Sequence, residues 1–174
     1  MDDKNNKKHP LTIGMRTIKT ALSVLICMTA YHLIEPFGYT TKFDAFLACT
    51  AAIICMQDSM EKSFKNGRNR MAGTGIGALL GMIFLYIDMF FDMFFDNDYP
   101  VITMIAFGVV VLITTCNLLR LSDSIVIGCV VFLVIALEQT ANNPFVSSVQ
   151  RLLDTAVGVG VAIAINHFIK KPDK

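Results

Sequence analysis

Charged residues are scarce in this chain of 174 residues, and tryptophan is absent. Only 17% of the residues are charged, whereas 54% are hydrophobic and the mean hydropathy is +0.57. A soluble domain of this length carries more charge and less apolar sequence. The composition therefore excludes an ordinary soluble domain and predicts a protein that is embedded in the lipid bilayer.

The chain also lacks the motifs that carry catalysis or hold metal ions. Its three histidines are scattered, with no HExxH, nucleophile elbow or phosphate-binding glycine loop. Its five cysteines lie within apolar segments and show no spacing suited to zinc. A net charge of +1 gives no nucleic-acid signature. We expect no enzyme, cofactor, metal site or nucleic-acid partner.

The apolar sequence falls into six blocks without the period-two alternation of a membrane barrel. They are residues 11–34, 43–56, 71–95, 101–119, 124–137 and 145–169. Roughly 20 residues cross the hydrocarbon, so four blocks span easily and the second and fifth are short. The first block lacks a small-residue cleavage site and should stay as an anchor. The sequence predicts an all-α integral membrane protein, with six transmembrane helices in 11–169 between tails at 1–10 and 170–174.

The two halves of the chain share one pattern. The stretch Arg70-Met-Ala-Gly73-Thr74-Gly75-Ile-Gly77 returns 81 residues later as Arg151-Leu-Leu-Asp154-Thr155-Ala-Val-Gly158. The same offset aligns the two short blocks. Because an odd number of spans per repeat inverts one repeat against the other, we predict two inverted three-helix repeats, about 11–95 and 96–169. Paired short segments are typical of a transport site.

Basic residues predict the orientation. All but two of the 15 lie before or within the first block, between the second and third, between the fourth and fifth, or at the end of the chain. The exceptions are Lys42 and Arg151. The positive-inside rule then places both termini in the cytoplasm of a multi-pass protein of the cell (inner) membrane.

Two arginines are candidates for binding an anion. Arg151 lies at a helix start on the side that is poor in basic residues, and its repeat mate is Arg70. A cation at mid-depth costs about 2.5 to 3.5 kcal/mol on insertion scales, so it usually has a partner or a wet cavity. For Arg151 the partner is Asp154 or Glu138 on a structural interpretation, and a transported anion on a functional one. Arg70 is equally well a snorkelling anchor.

Other polar residues complete the candidate sites. The candidate substrate site consists of Arg16, Arg70, Thr74, Arg151 and Thr155. Arg16 opens a polar stripe on the first span, which also suits an anchor and a helix-packing face. The threonine hydroxyls can equally bond the carbonyl four residues back. Glu138, which aligns with Gln57, and Asp154 are candidate proton carriers, although a hydrated helix end also accounts for Glu138.

Small residues recur at every fourth position in the third and sixth blocks. Such spacing lets two helix backbones approach closely in a membrane. We interpret these residues as helix-packing positions: Gly73, Gly77, Gly81, Gly158 and Ala162.

Three motifs together resemble a known family. Gly14-Met-Arg16-Thr-Ile-Lys19-Thr-Ala21 opens the first span, Cys55-Met-Gln57-Asp-Ser-Met-Glu61-Lys62-Ser63 leaves the second, and Arg70-x-x-Gly73-Thr74-x-x-Gly77 enters the third. In order and spacing they resemble the membrane domain of the aromatic acid exporter and fusaric acid resistance-like (FUSC) proteins, over about residues 14–170. Members carry six spans followed by a cytoplasmic helical domain. The plant malate channels, with basic residues lining an anion pore, look like distant relatives.

The resemblance implies a transporter that exports small organic anions, in particular aromatic carboxylates. Relatives pair two such units, and this sequence stops at Lys174 without the cytoplasmic domain. We therefore expect a homo-oligomer, most simply a dimer, or a partner membrane subunit. Two alternatives stay open: a passive organic-anion channel, and a non-transporting scaffold whose loop 58–69 docks another protein.

Overall fold

The fold is all-helical throughout the part of the chain that the computed structural model describes, residues 14–35, 42–94, 101–137 and 143–169. Its helices are α1 (Met15–Ile34), α2 (Lys42–Cys55), α3 (Met60–Phe94), α4 (Val101–Leu118), α5 (Ile125–Leu137) and α6 (Pro144–Phe168), with a 3-10 turn, Ser122–Ser124, before α5. This confirms the all-α prediction. Glu138 and the two predicted tails lie outside the described residues.

Four of these helices are long and apolar enough to cross a bilayer. They are α1, the Met60–Phe91 segment of α3, α4 and α6. Helices α2 and α5 have only 14 and 13 residues, or about 20 Å at 1.5 Å per residue, against a hydrocarbon core of about 30 Å. The chain is thus a multi-pass membrane protein whose two short helices fall where the sequence predicts short segments.

Helix α3 begins well before its apolar block. It starts at Met60, with Glu61 in its first turn, and the backbone N–H of Lys62 donates to Ser59 Oγ at 3.4 Å. A serine acceptor and an acidic first turn are both typical of helix N-termini. Most of the segment that the sequence analysis treats as a loop is therefore helix, with Phe64 exposed on it.

Helices α3 and α6 cross each other at the centre of the bundle. Thr74 of α3 contacts Thr155 of α6, and four residues further along α3 the carbonyl of Ala78 accepts from Ser148, which precedes Thr155 on α6. Since the residue numbers rise on one helix as they fall on the other, the two helices are antiparallel. The other four helices pack around this pair.

Each central helix packs in parallel with a short helix from the other half of the chain. A Cβ at Gly77 of α3 would collide with the backbone of Gly128 in α5, and one at Gly158 of α6 with the backbone of Ala48 in α2. Gly73 lies against the carbonyl of Ser124 and Gly81 against Ile135, both in the α3–α5 contact, and Ala162 is fully buried in the α2–α6 contact. Small residues thus set these two helix spacings.

The buried apolar residues form two main clusters, and neither belongs to one half of the chain. One joins α1, α2 and α6 around Cys55, Met56 and Ile165. The other joins α3, α4 and α5 around Leu112, Phe132 and Ile135. Each half therefore contributes its third helix to the core of the other half, and neither half completes a core by itself.

Candidate functional site

A cavity of about 270 Å³ lies between the two short helices and the two central ones. Arg70, Arg151, Thr155 and Thr50 supply its polar wall. The other lining residues are apolar: Phe46, Leu47, Ile54, Val126, Ile127, Val130, Val131 and Val134. The structure thus brings three of the five residues of the predicted substrate site into one cavity.

Arg70 is a buried cation without a partner in the part of the chain that the structure describes. Only 7% of the residue is exposed, no hydrogen bond or ion pair to a described residue reaches it, and its Nε is fully enclosed. Buried or membrane-embedded charges are usually paired, because removing them from water is costly. Arg70 therefore lines the cavity while its charge is uncompensated by any described side chain.

Arg151, the repeat mate, has close partners. Its Nη1 donates to Asp44 Oδ1 at 2.8 Å, and Asp44 is fully buried. The other carboxylate oxygen of Asp44 accepts from Gln150 Nε2 at 2.8 Å. The nearest oxygen of Asp154, one of the two partners that the sequence suggests, is 3.5 Å away. Asp44 is not among the site residues predicted from the sequence, although a carboxylate in the first turn of a short apolar helix is a signal that could have indicated it.

Asp154 joins this cluster to α1. Its Oδ1 accepts a hydrogen bond from the Tyr31 hydroxyl at 2.6 Å, and the residue is only 3% exposed. Arg151 therefore lies between two buried carboxylates, Asp44 from α2 and Asp154 from α6. This place, where α1 ends and α2 and α6 begin, is the Arg151 end of the bundle. The other candidate proton carrier, Glu138, lies outside the described residues.

The two threonines of the repeat meet at the crossing of α3 and α6. Thr155 Oγ1 donates to the carbonyl of Arg151 at 3.0 Å and lies 3.2 Å from Thr74 Oγ1. Because the single proton of Thr155 goes to that carbonyl, Thr74 is the donor between the two hydroxyls. Thr155 lines the cavity, whereas Thr74 is fully buried behind it.

Arg16 lies apart from the other candidates. It is exposed, and with Lys19, Gln57 and Asp58 it lines a separate cavity of about 220 Å³ where α1 begins, the Lys19 end of the bundle. The buried face of α1 is instead Lys19, Ser23, Cys27 and Tyr31, each four residues from the next.

Lys19 is a polar residue whose contacts the sequence does not reveal. It is 6% exposed, and its Nζ donates to Asn166 Oδ1 at 2.9 Å. Asn166 Nδ2 in turn donates to Ser63 Oγ at 2.9 Å and to the carbonyl of Gln57 at 3.2 Å. These bonds fix the amide orientation of Asn166 and tie α1 to α6 and to the start of α3.

Comparison with known proteins adds the family. The model of the aromatic acid exporter family, "Aromatic acid exporter family member 1", matches residues 11–169. This chain belongs to the aromatic acid exporter family. The match confirms the family resemblance seen in the motifs, and the family is one of transporters rather than enzymes. Among the described residues no group of three or more His, Cys, Asp or Glu side chains could hold a metal ion.

Three curated relatives are UPF0421 proteins. That of Oceanobacillus iheyensis is 29% identical over 92% of this chain and 41% of its own length. That of Halalkalibacterium halodurans is 28% identical over 95% and 41%, and that of Staphylococcus epidermidis 25% identical over 97% and 46%. The chain thus spans less than half of the length of these relatives. No solved structure matches it significantly.

Proposed function

We propose that this protein exports small organic anions, in particular aromatic carboxylates, and that the cavity between α2, α3, α5 and α6 binds them. The observation that carries the proposal is Arg70, a buried cation in the cavity wall to which no described side chain supplies a counter-charge. Membership of an exporter family supports the same function.

The lining of the cavity suits an anion with an apolar body. A guanidinium binds a carboxylate through two parallel hydrogen bonds, and a threonine hydroxyl adds a third contact. Phe46 and the valines of α5 offer the apolar surface that a ring needs. We assign Arg70 to the carboxylate, with Thr155 and Arg151 beside it and Thr74 holding Thr155 in place. Arg16 would act at a different point of the path, at the Lys19 end.

We further propose that the six helices form two inverted repeats that span the membrane. The directions of the helices support this arrangement. Helix α2 runs parallel to α6 and α5 runs parallel to α3, whereas the two central helices, α3 and α6, are antiparallel. The Thr74–Thr155 hydrogen bond joins residues 81 positions apart, the offset of the sequence repeat. The cavity wall contains the pairs Arg70/Arg151 and Phe46/Ile127, which are related by the same offset. The basic residues then favour cytoplasmic termini.

A second copy of the chain would close this cavity. Three of its lining residues are largely exposed, namely Phe46 (60%), Val126 (73%) and Val130 (51%). A cavity that contains arginines is costly to leave open to lipid tails. We therefore propose a homodimer in which α2 and α5 face the partner, with a different membrane subunit as the alternative.

Proton coupling is assigned to Asp154, with Glu138 as the second candidate. Asp154 is buried next to Arg151 and accepts a hydrogen bond from the Tyr31 hydroxyl. A carboxylate in that position changes the charge around Arg151 when it binds a proton. Ionisable residues inside membrane proteins commonly serve as such relays.

Efflux of benzoate from loaded proteoliposomes tests the function. Arg70→Gln should abolish efflux, and Arg70→Lys should keep part of the rate, because lysine preserves the charge but not the two-bond geometry. Arg68→Gln is the matched control, since Arg68 carries the same charge on the same helix but is exposed. Equal efflux from Arg70→Gln and wild type would refute the assigned site. Absence of efflux from every variant, wild type included, would favour the scaffold.

An imposed proton gradient separates exporter from channel. Coupled export predicts that the gradient drives benzoate above its equilibrium distribution and that Asp154→Asn abolishes this accumulation. A passive channel predicts that benzoate only equilibrates with the membrane potential in both proteins.

A further inference from the structure

We propose that Asp44 is an internal counter-ion that occupies Arg151, and that the carboxylate of the transported anion displaces it. This inference rests on the proposed function, because it concerns the same cavity. It adds a residue that restrains anion binding, and it gives the two arginines different parts: Arg70 receives the anion first, and Arg151 engages it only after releasing Asp44.

The contacts of Asp44 support the first step. Its carboxylate lies 2.8 Å from Arg151 Nη1, and neither residue is more than 4% exposed. Arg151 nevertheless also lines the cavity, as Thr155 does. One arginine therefore contacts both a protein carboxylate and the space that we assign to the substrate. A substrate carboxylate has the same chemistry as the side chain of Asp44, so the two compete for one guanidinium.

The surroundings of Asp44 allow it to keep its charge after the exchange. Gln150 Nε2 donates to its second oxygen at 2.8 Å and does not depend on Arg151. Asp44 also lies in the first turn of α2, where the backbone N–H groups at a helix start stabilise negative charge. The side chain can therefore remain in place when the guanidinium turns toward the cavity.

Arg70 gives the internal comparison. It lines the same cavity and is its repeat mate, yet it makes no ion pair with any described residue. The repeat thus supplies two equivalent cations, one that holds a protein carboxylate and one that does not. An anion that reaches the cavity meets Arg70 without competition, and it must exchange with Asp44 to gain the second arginine. Removing Asp44 should therefore strengthen anion binding.

Binding of sodium benzoate to the purified full-length protein, measured by titration calorimetry, tests this. Asp44→Asn keeps the size of the side chain and one of its two oxygens. Because Arg151 is then available to the anion without competition, the variant should bind benzoate about tenfold more tightly than wild type. The double variant Asp44→Asn/Arg151→Gln should bind no more tightly than wild type, because the gain depends on a released Arg151. Asp154→Asn, which removes the more distant carboxylate, should give a smaller gain.

The counter-ion proposal is wrong if Asp44→Asn binds benzoate no more tightly than wild type does, or if neither protein binds it. A gain that persists in the double variant would also overturn it, since Arg151 would then have no part in it. If Asp44→Asn does not fold, Gln150→Leu replaces it, because loss of that hydrogen bond loosens Asp44; unchanged affinity there counts against the proposal. Arg70→Gln is read separately: if it binds as wild type does, the assigned substrate site fails, whatever Asp44 does.

Discussion

Replacement of the two repeat-related arginines by methionine should affect stability differently: only the Arg151 variant should be destabilised. Arg151→Met leaves Asp44 fully buried without its 2.8 Å partner, and removal of one partner of a buried ion pair typically costs about 3 to 5 kcal/mol. Arg70→Met leaves no described carboxylate without its partner. It also removes a buried cation to which no described side chain supplies a counter-charge, and a buried charge without a partner is costly. Arg70→Met should therefore melt at or above the wild-type temperature, and Arg151→Met well below it.

The buried cysteines provide the assay. Cys27, Cys49, Cys55 and Cys116 are enclosed in the folded protein, so a thiol-reactive fluorophore reports unfolding in detergent. For a chain of this size 1 kcal/mol corresponds to about 2 to 4 °C, and Arg151→Met should lose at least about 6 °C. Asp44→Asn added to Arg151→Met should recover most of that loss. Equal destabilisation by the two methionine variants would refute the distinction between a paired and an unpaired arginine.

Three further predictions concern packing, the Lys19 end and topology. Gly77→Leu should lower the melting temperature, because overpacking costs about 1 to 3 kcal/mol. Gly75→Leu on the same helix meets open space and should change the melting temperature little. Equal melting temperatures of the two variants would contradict the tight α3–α5 contact. Asn166→Leu removes the acceptor of the buried Lys19 and two donated bonds, so it should destabilise by about 1 to 3 kcal/mol, and wild-type melting would show that the network contributes nothing. In a cysteine-free background, a cysteine introduced at the exposed position of Asn143 should react with an impermeant thiol reagent from outside, and one introduced at the exposed position of Lys65 should not. Labelling of the cysteine at position 65 from outside would contradict the cytoplasmic location of the termini.

Most of the helices could be predicted from composition and spacing. The six apolar blocks correspond to α1 to α6, because each helix that meets lipid must be apolar along its length. The main departure is α3, which extends back to Met60, since helical structure outside the bilayer needs no apolar residues. The glycines at every fourth position were also readable, because close backbone approach in a membrane depends on small side chains.

The partners of the site residues could not be read from the chain. Asp44 and Arg151 are 107 residues apart, and their contact exists only because α2 packs parallel to α6. The buried face of α1 shows the same limit. Both Arg16 and Lys19 suit a polar stripe at helical spacing, and only the position of α6 buries Lys19 against Asn166. From the sequence alone, Arg70 suits a membrane anchor and an anion-binding residue equally well. Its burial beside a cavity is the observation on which we base the proposal that it binds the anion.

The most direct test of the anion site is a crystal structure with 4-bromobenzoate, in which anomalous scattering locates the bromine. The account predicts one bromine peak in the cavity between α2 and α5, near Phe46 and Val130, with the carboxylate on Arg70, and no peak there in Arg70→Gln. A peak that persists in Arg70→Gln would contradict the account. So would a peak found only in the larger apolar cavity of about 510 Å³ lined by Phe84, Phe107 and Phe132.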